Sequence, residues 1–220
     1  MINSQKLKVI GNDRIKGKQE ISEINISGTA TFQKEVKTEF FEVIGRCKLN
    51  ATVQSETFIN KGSCFVKDKL TCNKLINIGQ GSFHNIDADS IKSFGSLKVN
   101  DSILCRTFQS TGYIKLDGEL IGEHVSMEVS APSKVHEIKG NEKVAIKSVK
   151  ATFFNIISFV RRKVIANSIQ GKNVYLEHTE ANHVSGENVD IGKKCKIEEV
   201  FYKQRLKIHS SALVRKSTRI

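Results

Sequence analysis

Large apolar residues recur along the first 129 residues of the chain at a spacing of about 17. The most regular column consists of Ile24, Phe41, Phe58, Leu75, Ile91, Phe108 and Val125. A glycine column lies four residues after Leu7 and after the first six of these, and consists of Gly11, Gly28, Gly45, Gly62, Gly79, Gly95 and Gly112. Two columns that share one period identify an internal repeat.

Within one repeat the apolar positions come in pairs two residues apart, as in Ile24 and Ile26 or Ala30 and Phe32. A spacing of two places side chains on one face of an extended strand. Three such pairs per repeat predict three short strands joined by bends, and each strand resembles the strand one repeat earlier. We therefore predict an all-β fold, a single-stranded parallel β-helix with coils of about 17 residues. The recurring glycine suits a corner that needs a positive φ or leaves no room for a Cβ.

The period changes twice along the chain. One residue is missing between Phe83 and Ile86, and every column shifts together after that point. Later, the pattern of apolar residues and glycine over residues 169–176 returns fifteen residues on, over 184–191, and residues 138–146 look like an earlier copy with one extra residue. We interpret these segments as further coils of about 15 residues that have a different cross-section.

These patterns define the expected organisation of the chain. We predict an N-terminal tail over residues 1–6, a regular β-helix over 7–129, a continuing β-helix over 130–203 and a basic C-terminal tail over 204–220. A solenoid must hide its last open edge, so we expect the C-terminal tail to cross the end or to fray from it.

An insertion at residues 151–163 does not fit the ladder. It is densely apolar and then basic, through Phe153, Phe154, Ile156, Ile157, Phe159, Val160, Arg161, Arg162 and Lys163. One interpretation is a hairpin or short helix that packs on the solenoid wall. The other is a patch that contacts a membrane surface or another subunit, because apolar residues flanked by basic ones suit anionic lipid headgroups.

The net charge of +12 is unevenly distributed. Residues 1–129 contain 17 Lys and Arg against 15 Asp and Glu, whereas residues 130–220 contain 18 against 8, and no acid follows Glu199. Such a basic region could contact phosphates. We do not expect nucleic acid as a partner, because the aromatic residues lie mostly in core columns and no recognition motif is present.

Candidate catalytic and ligand-binding residues are few. Five cysteines without a C-x-x-C pair indicate small buried apolar residues rather than disulfides or zinc ligands. Asp87 and Asp89 form the closest pair of aspartates, and their position at the missing residue favours a turn over glycan cleavage. The six histidines show no ligand spacing, although His178 and His183 are close. We therefore expect no enzyme, no cofactor and no metal site.

The chain also lacks the signals that would place it in or across a membrane. Its first residues contain no apolar stretch typical of a secretory signal. No run approaches the roughly 20 apolar residues that a membrane-spanning helix needs. We expect a cytoplasmic protein that could lie peripherally at the inner face of the cell membrane.

The repeat typified by residues 41–53, Phe-Glu-Val-Ile-Gly-Arg-Cys-Lys-Leu-Asn-Ala-Thr-Val, resembles the bactofilins, a family of polymer-forming bacterial cytoskeletal proteins. The resemblance covers about residues 7–129. Segments 174–181, 184–192 and 196–203 look like the longer members of Gram-positive bacteria. The resemblance implies a right-handed β-helix that polymerises end to end without nucleotide, often at the membrane, and serves as a scaffold for partners.

The expected function is accordingly a cytoskeletal scaffold whose main partner is a second copy of the chain, with recruited proteins or an anionic membrane surface as further partners. No G-x-x-x-x-G-K-[ST] motif is present. Two alternatives remain open at this point. The chain could be a monomeric or oligomeric adaptor that binds a protein or an anionic surface through its basic C-terminal third, or a carbohydrate-active β-helix enzyme.

Overall fold

The computed structural model describes residues 3–149 and 162–220, and every regular element in these ranges is a β-strand. The strands are β1 (Asn3–Val9), β2 (Asn12–Ile15), β3 (Gln19–Ile26), β4 (Thr29–Phe32), β5 (Val36–Val43), β6 (Arg46–Leu49), β7 (Val53–Asn60), β8 (Ser63–Asn77), β9 (Gln80–Ser93), β10 (Ser96–Val99), β11 (Ser102–Ser110), β12 (Tyr113–Val129), β13 (Ser133–Ser148), β14 (Val164–Leu176), β15 (Thr179–Ile191), β16 (Lys196–Ile208) and β17 (Leu213–Arg219). The prediction of an all-β fold is confirmed.

The chain forms two compact units, residues 1–106 and residues 107–220. In the first unit each strand pairs in parallel with the equivalent strand of the next coil. Ile24 lies beside Phe41, and Phe41 lies beside Phe58. On the second strand of the coil Ala30 pairs with Cys47. These partners are 17 residues apart, so the predicted parallel β-helix is confirmed.

The missing residue falls where the sequence places it. Val66 pairs with Phe83, whereas Lys69 pairs with Asn85, so two residues on one coil oppose a single residue on the next. The ladder then resumes with Leu70 beside Ile86. The irregularity is a register shift within β8 and β9, and the side chains on either side of it, Phe83 and Ile86, both stay buried.

The second unit contains the shorter coils. Ile169 pairs with Val184 and Leu176 with Ile191, fifteen residues apart, which confirms the second period. The pairing of β13 with β14 has a register shift between Gly140 and Lys143, and this shift accommodates the extra residue predicted there.

The inward-facing column forms a continuous apolar core in each unit. All seven residues of the column from Ile24 to Val125 are at most 1% exposed. The rings of Phe41 and Phe58 stack with centroids 4.9 Å apart, and Phe83 meets Phe58 edge-on at 6.3 Å. Burial of each such side chain stabilises the fold by roughly 1.5–3 kcal/mol.

The glycine column is explained by space rather than by backbone conformation. None of the described glycines has a positive φ. A Cβ at Gly45 would point at the carbonyl oxygens of Gly28 and Ser27, far inside the 3.0 Å that real Cβ atoms essentially never go below. Gly28, Gly62 and the later corner glycines of the first unit meet the coil before them in the same way. Coils that are about 4.8 Å apart leave no room for a side chain directed at the next corner.

Gly11 provides a matched test of this explanation. A Cβ at Gly11 meets no atom of the described residues within 4 Å. We expect Gly45→Ala to lower the free energy of unfolding by about 1–3 kcal/mol, because the stacked corners must move apart. Gly11→Ala should change it by less than about 0.5 kcal/mol. Thermal unfolding followed by circular dichroism measures both, and equal losses would contradict the steric explanation.

A short polar ladder lies inside the first unit next to these corners. Asn60, Asn77 and Ser93 are fully buried at equivalent positions of successive coils. The Asn60 side-chain amide donates to Asn77 Oδ1 at 2.8 Å, and the Asn77 amide donates to Ser93 Oγ at 3.1 Å and to the carbonyl of Ser96 at 3.0 Å. Asn60 Oδ1 has no partner among the described residues.

The ladder predicts unequal effects for two identical substitutions. Asn77→Val leaves both side-chain polar atoms of buried Asn60 unpaired, and Ser93 Oγ loses the amide that donates to it. Asn60→Val removes the unpaired Asn60 Oδ1 but leaves Asn77 Oδ1 without its donor. We expect Asn77→Val to be less stable than Asn60→Val by about 1–3 kcal/mol, measured by denaturant unfolding. Similar stabilities would show that the ladder contributes little.

The two predicted tails need correction. Residues 3–6 belong to β1, with Lys6 beside Glu23, and residues 204–208 complete β16. Residues 213–219 form β17, which pairs in parallel with the first half of β16 instead of crossing the end. The apolar alternation of Leu206, Ile208 and Val214 continues the ladder weakly, and backbone pairing with the preceding coil holds these residues in strands.

Candidate assembly ends

The first coil forms one end of the first unit. β1 supplies Leu7 and Val9 to the first strand of the coil, and β2 supplies Ile15 to the second strand. Val9 is buried, whereas Leu7 and Ile15 are half-buried. Polar residues take two positions that are apolar in the following coil, because Asp13 pairs with Ala30 and Gln19 pairs with Val36.

The last coil forms one end of the second unit and is more open. Along the first-strand ladder, Leu176 and Ile191 are completely buried, but Ile208 beside Ile191 is 44% exposed. Leu206 and Val214 are half-buried, and Leu213 is exposed. β17 covers only Lys196–Tyr202 of β16. Among the described residues no strand lies over residues 203–208, so the apolar ladder is uncovered there.

Both ends are basic. Residues 3–19 contain Lys6, Lys8, Arg14, Lys16 and Lys18 with Asp13 as the one acid, and all five basic side chains are exposed. Residues 203–220 contain six basic residues and no acid, and these side chains are exposed too: Lys203, Arg205, Lys207, Arg215, Lys216 and Arg219.

Inside each unit, several oppositely charged side chains on neighbouring coils form ion pairs. In the first unit Lys69 contacts Asp87 at 2.6 Å, and the Arg106 guanidinium contacts both carboxylate oxygens of Asp89. In the second unit Arg215 contacts Glu198 at 3.1 Å. Exposed pairs of this kind contribute little stability individually, but they favour the register in which opposite charges stack.

Of residues 151–163, the insertion predicted to contact a membrane or another subunit, the structure describes only the last two. Phe153, Phe154, Ile156, Ile157, Phe159, Val160 and Arg161 lie outside the described residues. Lys163 lies on the solenoid, where its ammonium group contacts Glu180 at 2.6 Å and its carbonyl accepts the backbone N–H of Ser133. Lys163 therefore helps to hold the start of β14, and whether the segment binds lipid stays a prediction.

A hydrogen-bond cluster holds the strand that leads into this segment. Glu177 Oε2 accepts both the backbone N–H and the hydroxyl of Ser148, at 2.9 and 2.7 Å. Its other oxygen accepts the Tyr175 hydroxyl at 2.7 Å. The Lys147 ammonium lies 5.7 Å from the centroid of the Tyr175 ring. Sequence reasoning missed this cluster, because its residues lie 29 positions apart and form no motif.

The same cluster shifts two pKa values. Partial burial alone would raise the pKa of Glu177, but hydrogen bonds from Ser148 and Tyr175 and the charge of His178 outweigh it and lower the pKa to about 2. The hydrogen bond to Glu177, with burial, raises the pKa of Tyr175 to about 12. Glu177 is thus a poor base and Tyr175 a poor acid near neutral pH, which favours a structural role for both.

The lowered pKa of Glu177 makes stability depend on pH. The contribution of its carboxylate is present above the ordinary pKa of 4.5 and is lost as the pH falls towards about 2. We expect Glu177→Gln to lose less stability than the wild type when the pH falls from about 5 to about 2.5, measured by thermal unfolding at each pH. Glu187, whose side chain has no ion pair or hydrogen bond among the described residues, supplies the control, and Glu187→Gln should follow the wild type.

The other chemical candidates occupy ordinary positions of the solenoid. Asp87 and Asp89 lie within β9 rather than in a turn, so the predicted turn role is wrong. They point outward because their neighbour Ala88 fills an inward position. All five cysteines are buried, and none of them forms a disulfide. His183 contacts Glu199 at 3.4 Å, and the described residues contain no group of three metal-ligating side chains.

The described residues contain no helix with the length and apolar character needed to cross a membrane.

Comparison with known proteins adds one similarity. The chain is 35% identical over 88 residues to a protein of Bacillus subtilis (strain 168) described as uncharacterized protein YhbF. The matched part is 40% of this chain and 35% of that protein, so the match spans about a third of the length of that relative. No family model matches the chain, and no solved structure matches it. The description of the relative specifies no activity.

Proposed function

We propose that the protein is a scaffold that assembles end to end without a nucleotide. In this assembly β1 of one copy covers residues 203–208 of another. The observation that supports it is the change along one ladder from completely buried Ile191 to 44% exposed Ile208. By the repeat, β1 and residues 203–208 are the same strand of the coil, and a strand added to an open edge gains a row of backbone hydrogen bonds.

The apolar positions of the two ends match in this arrangement. If the ladders continue from one copy to the next, Leu7 lies on Leu206 and Val9 lies on Ile208. On the second strand Ile15 lies on Val214. The polar positions of the first coil meet small residues, because Asp13 lies on Ala212 and Gln19 lies on Ser217. The apolar contact is therefore concentrated on the first strand, where the C-terminal end is most exposed.

The contact is heterologous, since two different surfaces of the chain meet. A heterologous contact that does not close on itself generates a filament or an open oligomer. This behaviour agrees with the expectation from the resemblance to bactofilins. We place the polymer in the cytoplasm, at the inner face of the membrane where recruited partners or anionic lipids are present.

A non-catalytic role accompanies this proposal. Asp87 and Asp89, the acids that a glycan-cleaving site would require, are each engaged with a cation on an adjacent coil. Glu177 is held ionised by its hydrogen bonds, so it is not suited to general acid catalysis near neutral pH.

The second candidate is an adaptor that binds an acidic protein or an anionic surface through the C-terminal end. The six exposed basic side chains of residues 203–220 favour it. An adaptor of this kind does not need contact between copies, and this difference separates the two candidates.

Sedimentation and negative-stain electron microscopy of the purified chain without nucleotide test the scaffold. We expect filaments or open oligomers at about 0.5 M NaCl, where exposed charges are screened. Ile208→Asp should abolish them, because it places a charge on the uncovered ladder. Ile44→Asp is the matched control, since Ile44 is 51% exposed and follows β5, inward of the first coil of its unit, and it should assemble normally.

Monomers at every ionic strength would contradict the scaffold. In that case binding of the monomer to vesicles that contain anionic lipid, reduced by replacing Lys203, Arg205 and Lys207 with glutamine, would favour the adaptor.

A further inference from the structure

The basic side chains at the two ends have the same sign, whereas several charges on neighbouring coils inside each unit form ion pairs with the opposite sign. Lys6 contacts Glu23 at 2.5 Å, and Lys18 contacts Glu35 at 3.3 Å. These acids lie on the inner side of the first coil. The outer side of that coil therefore presents basic groups only at these positions.

The last coil has the same arrangement. Arg215 contacts Glu198 at 3.1 Å, and Lys216 contacts Glu199 at 3.6 Å, and both acids lie on the coil before. Arg205 and Lys207 have no ion pair among the described residues. On the outer side of the last coil the exposed charges are therefore positive.

Continuing the ladders from one copy to the next places these groups in register. Within the first unit the column of Lys8 passes through Asn25, Glu42, Ile59 and Ile76 to Lys92. Within the second unit the equivalent column of the repeat passes through Ala145, Tyr175 and Asp190 to Lys207. The same tracing of the outward columns gives four pairs of facing residues: Lys6 and Arg205, Lys8 and Lys207, Lys16 and Arg215, and Lys18 and Lys216.

We propose that like charges at the two ends hold back end-to-end assembly of this protein and that dissolved ions control it by screening them. This inference rests on the proposed scaffold and adds the control of its contact. The apolar match on the first strand favours the contact between copies, and four like-charge pairs oppose it. Because the charges are exposed, the repulsion is strong at low ionic strength and weak at high ionic strength.

The first experiment is sedimentation of the wild type across a series of NaCl concentrations. We expect the protein concentration needed for assembly to fall on the order of tenfold between about 0.05 and 0.5 M NaCl, because the Debye length shortens across this range. An assembly that is unaffected by salt, or that weakens as salt rises, would overturn the inference and leave the scaffold standing.

The second experiment tests the facing pair with a double-mutant cycle. Lys8→Glu alone and Lys207→Glu alone each create an opposite-charge pair at the contact, so each variant should assemble at low salt. The double variant restores a like-charge pair and should again need salt. Lys92→Glu is the control, because Lys92 is exposed and occupies the same column inside the first unit. It should behave as the wild type.

The outcomes separate the two proposals. If no variant assembles at any salt concentration, the scaffold itself is wrong, and this inference is wrong with it. If the variants assemble but the double variant assembles at low salt even more readily than either single variant, then Lys8 and Lys207 do not face each other, and the proposed pairing is overturned. If Lys92→Glu promoted assembly at low salt as strongly as Lys207→Glu, the total charge of the protein, and not the charge at its ends, would control assembly.

Discussion

Parallel backbone hydrogen bonding from each coil to the next is the interaction on which the rest of this structure depends. It stacks equivalent residues directly on one another, so a residue suited to one coil must suit its neighbours. The apolar ladder and the corner glycines both follow from this constraint. At the corner the carbonyl oxygen of one coil occupies the space where a Cβ of the next would lie, as the approach of Gly28 to Gly45 shows. A cross-section that contains only about 17 residues thus needs no large globular core.

The same interaction leaves an unpaired strand edge at residues 203–208. A strand inside the stack has partners on both sides, whereas the strand of residues 203–208 has a partner on one side only among the described residues. Its ladder residue Ile208 is exposed although Ile191 beside it is buried. In the proposed scaffold, β1 of a second copy pairs with this edge. Positive charge at both ends is one of the ways in which a protein can keep an open edge from pairing without control.

Two groups of polar residues add specific hydrogen bonds to the repeated backbone pairing. Asn60, Asn77 and Ser93 form a hydrogen-bonded ladder inside the core, which joins successive coils in one register. In the second unit, Glu177 accepts two hydrogen bonds from Ser148 and so holds the end of β13. Both carboxylate oxygens of Glu177 accept hydrogen bonds, and its pKa is lowered to about 2. In the ladder, Asn60 Oδ1 has no partner among the described residues, but its amide group and that of Asn77 both donate to the next coil.

The sequence by itself determined the coil. Periods of 17 and 15, the missing residue before Ile86 and the pairing of Ile169 with Val184 could all be predicted, because stacking repeats one local pattern many times. Only the tertiary structure decided what happens where the repeat weakens. The sequence predicts a tail after Lys203, because the apolar alternation there is short and the segment is basic, but pairing with the preceding coil makes these residues strands. The Asn60 ladder and the contact of Glu177 with Ser148 were missed for the same physical reason, since they depend on residues that are adjacent in space and distant in the chain.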